Sequence, residues 1–162
     1  MSPPKPTLFL LALAACDGKG DDSTGEPGNN LPEDCDTDIC AKYAASMPMV
    51  VKEIVAQAST DPEFEDDFAP LVAKGKEAVG SFEQSLANYL GNVYGCPDAP
   101  DYDGPTMEKA HAGMDITQQE YDDFLAIIAG VLADQGVPND TVTTCFAPPL
   151  QDASFAGTII GQ

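Results

Sequence analysis

The chain is 162 residues long and carries 27 acidic against 7 basic side chains, a formal charge of −20 at neutral pH. A surface this negative repels phosphate backbones, which excludes nucleic acid as a partner, and it offers anionic lipid headgroups nothing to attract. At this length one domain can still bury a proper hydrophobic core.

The first predicted element is an export leader. Met1-Ser-Pro-Pro-Lys5-Pro is followed by an apolar run from Thr7 to Ala15 and then Cys16. One base, an apolar stretch too short to span a bilayer and a small-residue end have the pattern of an export signal. Leu13-Ala14-Ala15-Cys16 resembles a bacterial lipoprotein cleavage site. That resemblance implies a signal peptide over residues 1–15 and a lipidated Cys16, with an ordinary signal cut near Ala15 as the alternative. Residues 16–38 are polar, acidic and rich in Gly and Pro, the composition of a flexible tether. Within them Asp34-Cys-Asp36-Thr-Asp38 has the spacing of a calcium loop but not its glycine or closing glutamate, so it reads as a solvated acidic run. The expected location is outside the cytosol, with the domain anchored to a bacterial membrane and facing periplasm or exterior. Apart from Cys16, the cysteines are Cys35, Cys40, Cys96 and Cys145. An even number in an exported chain predicts two disulfides, with three pairings open.

Residues 39–150 form the predicted domain, and 151–162 are set apart as a C-terminal tail. A first helix is expected over Cys40 to Ser46. A second begins near Pro48, with Met47, Val50, Val51, Ile54, Val55 and Ala58 on its buried side. Asp61-Pro62-Glu63 restarts the chain with an N-cap and a first-turn proline. A longer helix is expected from about Leu71 to Leu90, burying Val72, Ala78, Val79, Phe82, Leu86, Tyr89 and Leu90. Gly91 to Gly104 has Gly, Pro and Asp in abundance and no periodicity, so it reads as loop. A short helix follows, with Pro105 in its first turn and Gly113 as its stop. It sets Met107, Ala110, His111 and Met114 on one face. Thr117-Gln-Gln-Glu120 is a capping box opening a long apolar helix to residue 135. A last short helix starts near Asn139 and is expected to end at Pro148-Pro149. No strand pattern occurs, and the reading is a single all-α domain.

His111 is the only histidine of the chain. Its helical face permits two readings, a core histidine or a ligand to a metal. No Cys-x-x-Cys-His is present for covalent haem attachment, and no close cysteine pair accompanies His111 for zinc. The order Tyr102-Asp-Gly104, histidine helix, Ile116-Thr117, Tyr121, long helix, Gly136-Val-Pro138 resembles the group I truncated haemoglobins, from about Tyr43 to Leu150. The resemblance implies a two-over-two helical sandwich around a haem pocket, with haem b (iron protoporphyrin IX) as cofactor and His111 as the iron ligand. It implies a wall made by Phe68, which would stack on the haem, with Phe82, Leu86, Met107, Ile116, Tyr121, Phe124 and Ile128.

The distal half of the family pattern is missing. The position of the usual tyrosine on the second helix is Val55, and the positions that often hold glutamine are Ala78 and Phe82. A hydrogen bond to bound oxygen is worth on the order of 1–3 kcal/mol in a dry site, so its loss is expected to raise the oxygen off-rate by roughly tenfold or more. The expected function is therefore reversible binding of a diatomic gas (O2, NO or CO) rather than catalysis, with an unidentified redox partner. The alternatives are a haem-free, globin-derived structural lipoprotein and, behind it, a nitric oxide dioxygenase.

Overall fold

The computed structural model describes residues 31–32 and 34–162. The expected signal peptide, the lipidated Cys16 and most of the expected tether lie outside the described residues. Asp38, the last acid of the Asp34–Asp38 run, caps the first helix, its carboxylate accepting the Ala41 N–H at 2.9 Å. That helix, α1 (Ile39–Tyr43), runs through a single 3-10 turn into α2 (Met47–Ala58). The apolar spacing of α2 is borne out: Val50, Val51, Ile54, Val55 and Ala58 are all buried.

The helix expected from Leu71 to Leu90 is two helices, α3 (Glu65–Ala73) and α4 (Lys76–Val93). Gly75, at φ +94°, separates them in a conformation that a side chain would strain. The break resets the helical phase, which leaves Val72, expected inside, 51% exposed. At its other end α4 runs on to Val93, three residues into the expected loop. Then come α5 (Met107–His111) and α6 (Gln118–Asp134), whose capping box is complete: Thr117 Oγ1 accepts from Glu120 N and Glu120 accepts from Thr117 N.

Pro148-Pro149 does not end the last helix. The run begins as α7 (Asn139–Thr141), widens into a π turn (Val142–Phe146) and continues as α8 (Ala147–Gln151). In the π turn the Ala147 N–H reaches back to the Val142 carbonyl. This resets the helix so that both prolines fall in the first turn of α8, where a missing N–H costs nothing. Residues 151–162, set apart as a tail, carry a further helix, α9 (Ala153–Ala156), capped by Asp152, and bury Ile159.

No strand occurs among the described residues, and no helix among them is long and apolar enough to cross a membrane. Helix α2 packs on α4 and α6, and α6 packs on the π turn and α8, giving the two-over-two arrangement. The core is centred on Ile54, Val51, Val131 and Cys145, all essentially inaccessible. Each such aliphatic side chain contributes about 1.5–3 kcal/mol of burial. Two tyrosines stitch the layers through backbone carbonyls: Tyr94 donates to Phe146 O at 3.1 Å and Tyr121 to Leu150 O at 2.6 Å. The disulfides pair Cys35 with Cys145 and Cys40 with Cys96, resolving the three possible pairings.

Candidate functional site

The segment around His111 is built from its N-terminal side. The Tyr102 hydroxyl donates to Pro105 O at 2.8 Å, and its ring lies across Gly104. A Cβ at position 104 would collide with the Tyr102 hydroxyl and ring, which is why the Tyr-x-Gly pattern needs its glycine. Tyr89 meets the Tyr102 ring edge to face, with ring centroids 4.8 Å apart. Pro105 stands ahead of α5 rather than in its first turn, because Thr106 takes the cap and accepts from Lys109 N. Gly113, at φ +80°, lies two residues beyond the end of α5, and the Met114 N–H closes the turn on His111 O at 3.0 Å.

His111 is half-buried, and its Nδ1 lies 2.8 Å from Met107 O, one helical turn back. A carbonyl can only accept, so Nδ1 carries the proton and Nε2 keeps its lone pair. Nε2 has no protein partner among the described residues. Burial lowers the pKa of the imidazole from its ordinary 6.5, and the bond to Met107 opposes this only in part. The result is a neutral, oriented nitrogen donor, the form a metal requires.

Among the residues expected to form the wall, Phe68 of α3 and Phe82 of α4 meet edge to face at 6.2 Å. Phe82, Leu86, Phe124 and Ile128 pack against the core and remain half-buried. Met107 and Ile116 flank His111 along the chain and are half-buried too. Tyr121 is buried with its hydroxyl committed to Leu150, so it also serves as a structural tie between α6 and α8. Of the three positions expected on the distal side, Val55 is 2% exposed within the main core, and Ala78 and Phe82 are half-buried on α4. None of the three carries a hydrogen-bond donor.

Two residues of this region were missed on sequence grounds. Phe64 is buried and meets Phe124 edge to face at 5.7 Å, and Phe155 lies 6.3 Å from Tyr89. The spacing of Phe64 and Phe68, one helical turn apart, was the available signal for the first. Nothing local marks Phe155, which reaches Tyr89 only because α9 folds back.

A neutral imidazole with Nδ1 committed and Nε2 unpartnered has the donor chemistry of a single axial haem ligand, and the half-buried aromatic and aliphatic side chains of α3, α4 and α6 have the apolar character a macrocycle needs around it. The family model described as bacterial-like globin matches residues 44–152. No curated protein matches the chain.

Proposed function

The chain belongs to the bacterial-like globins, and from that membership we propose that it is an exported, lipid-anchored haem protein of the group I truncated type that binds a diatomic gas. The observation that carries the proposal is the state of His111, with Nδ1 committed to Met107 O and Nε2 free. Haem b supplies the iron at which O2, NO or CO binds reversibly. His111 holds that iron through Nε2, while Phe68, Phe82, Leu86, Met107, Ile116, Phe124 and Ile128 exclude water from the macrocycle. Tyr121 closes the wall from α6. Val55, Ala78 and Phe82 make the gas side apolar, so the site discriminates weakly in favour of oxygen and its oxygen off-rate is fast.

Export is supported by the leader pattern and by two disulfides, which persist in oxidising compartments. Lipid attachment rests on Cys16 and its preceding Leu-Ala-Ala. The disulfides also favour a second reading, in which they replace cofactor stabilisation and the domain is a haem-free structural lipoprotein.

The deciding experiment is a haemin titration of the chain lacking residues 1–16, followed by reduction and exposure to CO. A one-to-one Soret shift that is lost in His111→Ala places His111 on the iron. An intact helical spectrum with no stoichiometric uptake selects the haem-free reading.

A further inference from the structure

Helix α5 has only five residues, too few to be stable by its own hydrogen bonds. Something outside it must fix the orientation of His111. Its upstream side is held by the Tyr102 corner and the Thr106 cap. Downstream, the chain passes through Gly113 at φ +80° and Asp115 at φ +52°, a left-handed conformation that is uncommon for a residue with a side chain, although aspartate tolerates it better than most.

What holds it comes from the far end of the sequence. The Asp115 N–H donates to Gln162 O at 2.9 Å, and the Gly161 N–H donates to Ile116 O at 2.9 Å, a two-rung backbone ladder. The segment bearing these groups is itself seated. Phe155 rests near Tyr89, Ile159 is buried, and the Gln162 side chain bonds back to Gly157 O at 3.0 Å. Residues 152–162 thus clasp the turn that follows His111 and touch, through Phe155 and Tyr89, the tyrosine corner that precedes it.

We propose that residues 152–162 are a positioning strap for His111: by fixing the 114–117 turn they set the orientation in which Nε2 is presented. The proposal rests on the reading of His111 as a ligand, but its first test does not require haem. In the haem-free chain, Gly161→Pro deletes one rung and cannot adopt φ +72°, whereas Gly161→Ala keeps the donor. Ile159→Ala unseats the strap without touching either rung.

Residue-resolved amide exchange at Asp115 is expected to rise at least ~10-fold in Gly161→Pro and Ile159→Ala, and less in Gly161→Ala, while amides of α4 stay protected. The same two variants are expected to shift the His111 ring resonances, followed by NMR at fixed pH, as the hold on the ring and on its bond to Met107 O loosens. In haem-loaded protein they are expected to shift the iron–histidine stretching frequency and speed haem loss to an acceptor. Unchanged Asp115 exchange with α4 protected overturns the strap. Raised exchange with unmoved His111 ring resonances overturns its positioning role. Failure of the wild type to take up haem overturns the proposed function instead, leaving exchange and the ring resonances to judge the strap.

Discussion

His111 can serve a metal only as a neutral ring, and burial favours that form by lowering the pKa of the imidazole from its ordinary 6.5. The sign of the linked stability follows. Well above pH 6.5 the imidazole is uncharged in folded and unfolded chains alike, so its burial carries no charge penalty there. As pH falls below that value the unfolded chain takes up a proton that the folded site resists, and stability is lost until the folded pKa is passed. Urea midpoints measured from pH 7.5 down to 5 should therefore fall more steeply in the wild type than in His111→Gln. At Gly104 the expected outcome is a packing penalty: Gly104→Ala forces the Tyr102 ring off Pro105 and Tyr89, costing about 1–3 kcal/mol in thermal denaturation. The histidine and the Tyr-x-Gly turn were legible in the sequence because each is a local pattern. The strap, Phe64 and Phe155 were not, because their partners lie far along the chain or depend on where a helix breaks.

At the level of elements, Thr117 carries the clearest expectation. Replacing it by Ala removes the acceptor for the Glu120 N–H and should cost about 1 kcal/mol, read as a lower urea midpoint with an unchanged slope. That cap, like the apolar stripe of α2, follows from rules spanning four residues, and both were readable in advance. The errors came where two local rules compete. Leu71 and Val72 continue an apolar periodicity that Gly75 interrupts, and the periodicity hid the break. Pro148 and Pro149 forbid an uninterrupted α-helix, yet a π turn ahead of them lets the helical run continue. Their meaning depended on five preceding residues whose sequence gives no sign of a wider turn.

For the molecule as a whole, the two disulfides join segments 110 and 56 residues apart. Spans of that size restrict the unfolded chain by about 4–5 kcal/mol each in the loop-entropy limit, a large share of the ~5–15 kcal/mol by which domains are usually stable. Cys35→Ser/Cys145→Ser and Cys40→Ser/Cys96→Ser should each lower the urea midpoint, and full reduction of the wild type should leave a chain that unfolds at low denaturant. Equal midpoints with and without reductant would show that the helices suffice alone. The Cys35–Cys145 bond also decides how the domain answers a mechanical load. Tension entering from the chain upstream of Cys35 crosses directly to Cys145 in the π turn, so residues 36–144 cannot be drawn out while that bond stands. The pull is delivered to the segment from the π turn to the strap, and the histidine helix lies inside the shielded loop. A domain tethered by its N-terminal side could thus be dragged without its central fold being unravelled, and reducing that one bond would open the histidine helix to the pull while Cys40–Cys96 still locked residues 41–95.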